Sequence, residues 1–294
     1  MIELNGYKVE PTIFPDGTSQ VWQLPKNVLE DCMTYEVTWW FENEAELMHL
    51  AQLRELLWHQ GKPAALKMPY LPYARQDKAV DNEHTFAMSV FRYILGGMKW
   101  DYMCAYDAHC DLEQYFPDIS NIEPDLSWIT EEEYATVVFP DKSAWHRYKD
   151  IVPNKRQLFA EKVRDQSTGY ITNYELAGSL GASLVSPAIV VDDLCDGGAT
   201  FNILADSIGD KCPSLDLYVT HGIFSKGLSK LLVKYDRIFT TTTCYGADIP
   251  HNPGGFVTYS DLRQTASLSV DNERKYSEFI KYVAKGRLII EEII

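Results

Sequence analysis

Long apolar runs are missing from this 294-residue chain. No stretch approaches the ~20 consecutive apolar residues that a bilayer-spanning helix needs, so a helical membrane protein is excluded. The opening MIELNGYKVE has no signal-peptide pattern, and a cytoplasmic location is expected. Basic residues are scarce: Lys and Arg number 27 against 42 Asp and Glu, a formal charge of −15. With no basic stripe to offset it, that charge repels a nucleic-acid backbone, so neither nucleic acid nor membrane is an expected partner. The six cysteines (Cys32, Cys104, Cys110, Cys195, Cys212 and Cys244) are scattered, with neither a CxxC pair nor a disulfide framework, and reduced thiols are expected. A GxxxxGK[ST] phosphate loop is also absent, so any nucleotide must be held by other means. What is present is apolar substance: 46% hydrophobic and 13% aromatic residues suffice for a substantial core.

Strand-like runs alternate with amphipathic helical patterns, which predicts α/β layers around parallel sheets. Asn43 and Glu46 read as a capping box opening a helix that carries Leu47, Leu50, Leu53 and Leu57 on one face and ends near Gly61. Ala64 to Met68 reads as a strand, and Thr85 to Leu95 as a helix closed by Gly96 and Gly97. Tyr102 to Tyr106 is a further strand, delivering Asp107 and His109 at its end. After the polar stretch Asn121 to Asp125 a second series begins with Ala135 to Phe139. It continues through Gln157 to Arg164, Leu215 to Thr220 and Arg237 to Thr242, so two comparable halves are expected to meet near residue 125.

The most informative segment is Pro187 to Thr200, PAIVVDDLCDGGAT. Ala188 to Val191 form a continuous apolar run, the mark of an interior parallel strand. Asp192 and Asp193 fall at its carboxyl end, where open α/β sheets bind ligands, and adjacent carboxylates can each accept a hydrogen bond from one hydroxyl of a cis-diol. Gly197 and Gly198 allow a tight turn that aims successive N–H groups at one anion. Thr200 is expected to cap a helix from Phe201 to Ser207, whose positive end favours phosphate. Together they read as a ribose-phosphate clamp. Cys195, with no activating partner in the sequence, reads as a small space-filling residue.

Elsewhere, PYLPYARQD sets Arg75, Gln76 and Asp77 after a strand and a proline-stiffened turn; the Arg fork suits phosphate and Gln can read an adenine edge. In LFAEKVRD, Lys162 and Arg164 are two cations two apart on an extended segment. Lys155 and Arg156 compete for the same role but lack the intervening residue.

These motifs, in this order from about residue 14 to 245, resemble the ribose-phosphate pyrophosphokinase family. The acidic segment is similar to the family's DDxxDTGGT loop, with Gly197 in place of Thr and Ala199 in place of Gly. PYLPYARQD is similar to its nucleotide-binding motif, and AYDAHCD to its DLHA motif. The resemblance implies two type I phosphoribosyltransferase-type domains, residues 1–124 and 125–294, each a mainly parallel sheet flanked by helices, with the usual first strand and helix absent. It implies an ATP site made by Arg75, Gln76, Asp77 and His109. FPDG is similar to the family's FSDGE loop and adds Phe14 and Asp16 from a neighbouring subunit, which implies a homo-oligomer with a shared ATP site; Thr18 stands where the family has Glu. His109 and Asp141 are implied as contacts of Mg2+, and Lys162 and Arg164 as the catalytic K-x-R pair, with His109 beside them. Asp192, Asp193 and the loop Asp196, Gly197, Gly198, Ala199 and Thr200 are implied to hold the ribose phosphate.

The implied reaction is transfer of the β,γ-pyrophosphoryl group of MgATP to the anomeric hydroxyl of ribose 5-phosphate, giving phosphoribosyl pyrophosphate and AMP. Three alternatives stay open: a phosphoribosyltransferase, a non-catalytic regulatory homologue, and the same transfer to a larger ribose-ended acceptor such as ADP-ribose, toward which the DGGAT tail points.

Overall fold

The computed structural model describes residues 1–25, 32–132, 134–164, 171–178, 183–244, 282–283 and 285–291. They fold into two compact units whose main bodies are Met1–Glu123 and Pro124–Thr242.

In the first unit, β1 (Ile2–Leu4) and β2 (Tyr7–Lys8) form a hairpin through Asn5 (φ +48°) and Gly6 (φ +79°). Positive φ at both central residues is what a two-residue type I′ turn demands, and Asn-Gly meets it without strain. A second small hairpin, β3 (Thr12–Ile13) and β4 (Ser19–Gln20), follows. Then β5 (Tyr35–Trp39), α1 (Glu46–His59), β6 (Ala64–Met68), α2 (Ala87–Gly97), β7 (Tyr102–Tyr106), α3 (Leu112–Tyr115) and β8 (Ile119–Ile122) complete the unit. Its sheet runs β2-β1-β5-β6-β7-β8, antiparallel at the β1 end and parallel from β5 to β8.

Leu50, Leu53 and Leu57 of α1, all fully buried, fill the space beside Val37, Trp39 and Leu66, the i, i+3, i+4 spacing predicted for one helix face. The predicted capping box does not form. Ala45 holds the N-cap position without a side-chain bond, and Asn43 Oδ1 accepts from the Ala45 N–H (3.1 Å). Glu46 instead turns inward to accept from Trp39 Nε1 (2.9 Å) and the Glu42 N–H (2.9 Å); a buried indole N–H without a partner costs more than a missing surface cap. α2 also runs further than expected: Gly96 and Gly97 lie inside its last turn, and Lys99 (φ +53°) takes the left-handed position after it.

The second unit comprises α4 (Ser127–Glu131), β9 (Thr136–Phe139), α5 (Lys142–Tyr148), β10 (Arg156–Arg164), β11 (Ile171–Gly178), β12 (Ala188–Cys195), α6 (Ala199–Ile208), β13 (Leu215–Gly222), β14 (Ile238–Thr241) and β15 (Leu288–Glu291). Their order is β11-β10-β9-β12-β13-β14-β15, parallel except for the β10–β11 hairpin at one edge. Chain order therefore reverses between β9 and β12: β10 follows β9 on one side, while β13 follows β12 on the other. At such a switch point the two connections leave the sheet in opposite directions and open a crevice beyond the carboxyl ends of the strands. Val137, Phe139, Ile189, Val191 and Tyr218 pack against Ala144 and Tyr148 of α5 to form the core beneath it.

The amino ends of the same strands are clamped by a polar cluster. Tyr134 donates to Asp216 Oδ2 (2.6 Å), and Arg237 donates through Nε (3.0 Å) and Nη2 (2.8 Å) to the same oxygen. Among the described residues no helix is long and apolar enough to cross a membrane.

Candidate active site

Three loops leave the carboxyl ends of the adjacent parallel strands β9, β12 and β13 in the second unit. The loop after β9 brings Asp141, whose Oδ1 accepts from the Ser143 (2.9 Å) and Ala144 (3.0 Å) N–H groups and so caps α5. β12 carries Asp192 and Asp193, with the Asp193 N–H donating to Asp192 Oδ1 (2.9 Å). Asp193 is almost fully buried and faces Arg147 of α5, whose Nη1 stands 4.0 Å from Oδ2. Burial, then the charge of Asp193, and further the charge of Asp141, push the Asp192 carboxyl well above the usual carboxylate range. Like charges crowded at a switch point, with the hydrogen bonds of two of them engaged by the local backbone, make a site that attracts cations and hydroxyl donors. Arg147 was not singled out from the sequence; its only signal is a cation on the helix that Asp141 caps.

Cys195 is buried beneath this pair, and burial followed by the charges of Asp192 and Asp196 pushes its thiol up to about 12. A thiol so protected is no nucleophile at neutral pH, as its reading as space-filling anticipated.

The loop after β12 makes the predicted turn, with one correction. Gly198 (φ +75°) is itself the N-cap residue of α6, no side chain caps the helix, and Thr200 lies within the first turn. The left-handed glycine replaces the threonine because it turns the chain while leaving the first N–H groups of α6 unobstructed. A Cβ on Gly198 would stand 3.1 Å from Leu231 Cδ2, so the position is closed to side chains as well as left-handed.

The loop after β13, the end of THGIFS, is laced to this turn. Phe224 N–H donates to the Cys195 carbonyl (3.1 Å), Ser225 N–H to the Asp196 carbonyl (3.1 Å), and Ser225 Oγ to Asp196 Oδ1 (2.5 Å). Phe224 holds φ +48°, and its ring occupies the space a Cβ on Gly222 would need, with Thr240 Oγ1 2.6 Å from the same point.

In the first unit, PYLPYARQD follows the carboxyl end of β6, and Asp107 to His109 follow that of β7, its parallel neighbour. Leu71 and Ala74 anchor the former loop in the core, Tyr73 (φ +62°) donates to Glu44 Oε1 (2.5 Å), and Arg75 and Gln76 remain exposed, with Asp77 half-buried. Burial and the Glu44 contact push the Tyr73 phenol up to about 12, so it is a hydrogen-bond donor at neutral pH. Asp107 is buried at φ +42°, held by its N–H to the Ile122 carbonyl (2.8 Å), and the bond from Ala108 N–H to Asn121 Oδ1 (2.9 Å) presents His109 at the surface.

FPDG forms the tip of the β3–β4 hairpin, with Gly17 at φ +84°. Asp16 Oδ1 accepts from both the N–H (3.0 Å) and the hydroxyl (2.7 Å) of Thr18, which lower its pKa, and Phe14 packs edge-on against Trp22 at 6.2 Å. The threonine that stands where the family has Glu thus engages the loop's own carboxylate.

Lys162 and Arg164 occupy β10 as backbone positions. Their side chains lie outside the described residues. The register shift opposite Val163 and Arg164 is taken up on β11, where Thr172 is extra, so β10 stays regular and the spacing of two is kept. Among the described residues no three His, Cys, Asp or Glu side chains converge on one metal ion.

Parallel sheets with an acidic pair, a left-handed glycine and a helix N-terminus at a switch point define a two-domain α/β protein of the type I phosphoribosyltransferase type. The comparisons agree. The ribose-phosphate pyrophosphokinase of Saccharolobus solfataricus is 24% identical over 223 residues, 69% of this chain and 73% of that protein, and that of Agrobacterium fabrum is 26% identical over 242 residues, 76% of each. The crystal structure of phosphoribosylpyrophosphate synthetase from Mycobacterium smegmatis shares the fold at TM-score 0.65 and 18% identity, over 83% of both chains. No protein-family model matches the chain. Over most of its length the chain is thus similar to ribose-phosphate pyrophosphokinases, and it shares the fold of that synthetase.

Proposed function

We propose that the protein transfers the β,γ-pyrophosphoryl group of MgATP to the anomeric hydroxyl of ribose 5-phosphate, forming phosphoribosyl pyrophosphate and AMP. The observation that carries this reading is the unbroken sequence Asp192, Asp193, left-handed Gly198 and α6 at the switch point of the second sheet. The two carboxylates accept from the 2- and 3-hydroxyls of the ribose, while the N–H groups at the start of α6 hold its 5-phosphate. That arrangement leaves the anomeric hydroxyl as the outward nucleophile. Arg75, Gln76, Asp77 and His109 are assigned to the nucleotide, with Phe14 and Asp16 contributed by a second copy in a homo-oligomer.

The residues present fit magnesium. The site offers carboxylate oxygens, burial and then the neighbouring carboxylates raise Asp192, and Mg2+ takes one or two carboxylates with substrate phosphate oxygens rather than a full protein cage. Asp141 and His109 are the side chains proposed to contact it, and when bound it neutralises charge on the phosphoryl oxygens. Lys162 and Arg164 do the same from β10. Attack by the hydroxyl on the β-phosphorus breaks the α,β bridge, and AMP leaves with the bridging oxygen. Catalysis of this kind is chiefly alignment and charge neutralisation.

The test is AMP release from MgATP with ribose 5-phosphate and with ADP-ribose as acceptors. AMP with ribose 5-phosphate is expected. AMP with ADP-ribose alone moves the reaction to the larger acceptor, and no AMP with either, in folded protein, favours the non-catalytic homologue.

A further inference from the structure

The phosphate loop carries an unusual neighbour. A Cβ on Gly197 would stand 3.2 Å from Lys226 Cδ and 3.3 Å from its Cε, so the lysine stem lies across the face of this glycine. The backbone that carries it is held in place: the Phe224 and Ser225 N–H groups donate to the Cys195 and Asp196 carbonyls, and Gly227 N–H returns to the Phe224 carbonyl (2.8 Å) with φ +73°, closing a turn around Lys226. Lys226 is exposed, and among the described residues no hydrogen bond or ion pair holds its ammonium, although Asp and Glu outnumber Lys and Arg by 42 to 27 across the chain. One bond beyond Cε, that ammonium reaches the rim of the loop.

We propose that Lys226 is a specificity-determining residue that binds the acceptor's terminal phosphate monoester. The proposal rests on the ribose-phosphate reading of the Asp196 to Thr200 loop and deepens it. Gly197 leaves the turn without the hydroxyl that the resemblance places there. The missing side chain is also what admits the lysine stem, since any Cβ at 197 would press on it. A hydroxyl donor within the loop is thus exchanged for a cation arriving from the neighbouring loop. An ammonium offers three donors and a full charge, which suits a phosphate monoester carrying about −1.5 to −2 rather than the singly charged phosphoryl groups inside a dinucleotide.

The test is calorimetric titration of the parent protein and K226M with ribose 5-phosphate and with inorganic phosphate, alongside AMP formation from MgATP. K226M is expected to bind ribose 5-phosphate about tenfold more weakly, about 1.4 kcal/mol, and to raise its KM while KM for ATP stays close to the parent's. K226R, which keeps the cation, is expected to recover part of the loss. AMP formation with ribose 5-phosphate affinity unchanged in K226M overturns the role of Lys226 alone. Phosphate binding that depends on Lys226 without AMP formation overturns the proposed reaction and leaves the residue's role standing. A parent protein that binds neither ribose 5-phosphate nor inorganic phosphate overturns both.

Discussion

Asp192 and Asp193 differ although they are adjacent. Asp193 is sunk beside Arg147, whereas Asp192 is raised by burial and by two carboxylate neighbours. The pair is therefore an acceptor site that gains from hydroxyl donors and cations, and further cations for phosphoryl chemistry are proposed to come from β10. Lys162 is proposed as one of these. Lys162→Ala is expected to lower kcat by about a hundredfold, on the order of 3 kcal/mol in the barrier, with an unchanged urea midpoint. Steady-state kinetics beside urea unfolding checks it, and near-parental kcat would remove the residue from the catalytic step.

At the scale of single elements, the turn into α6 is the most constrained. Gly198→Ala forces a Cβ into both the left-handed region and the Leu231 side chain, and is expected to cost about 1–2 kcal/mol in equilibrium unfolding. The β3–β4 hairpin is held differently, by α1: His49 Nε2 meets Ser19 Oγ (2.8 Å), and Gln52 bonds both the Val21 N–H (2.7 Å) and the Ser19 carbonyl (3.0 Å). Burial lowers the His49 pKa from its ordinary 6.5, so the unfolded chain takes up the proton first. Stability from this group is complete above pH 6.5 and declines as the pH falls below it. His49→Gln is expected to flatten that decline in a series of melting temperatures from pH 7 to 5; an equally steep decline would place its origin in other groups.

Over the whole molecule, the polar clamp and the ligand loops lie at opposite ends of the second sheet. Removing Arg237 leaves the buried Asp216 with Tyr134 as its remaining side-chain donor, and Arg237→Met is expected to cost about 2 kcal/mol. Because the clamp sits at the amino ends of the strands, KM values at temperatures below melting are expected to stay parental; a shift in the KM for ribose 5-phosphate would show that the clamp reaches the site.

The α/β alternation and the loop from Asp192 to Thr200 were legible in the sequence because their signals are local: an apolar run, two acids, two glycines. What was misread depended on distant partners. Glu46 left its capping box for the indole of Trp39, and Thr200 lost the cap to Gly198, a position that Leu231 closes to side chains. Lys226 was invisible because its stem meets Gly197 only after two separate loops fold together.

The same interlocking limits how this chain can change over generations. The Phe224 ring fills the place of a side chain on Gly222, and the Thr240 hydroxyl crowds the same point. A lineage that acquires a side chain at 222 must first have lost the ring at 224, and while the ring stays the glycine cannot drift. Because the Thr240 hydroxyl presses on the same point, losing the ring alone does not free the glycine, and the three positions are coupled as one unit.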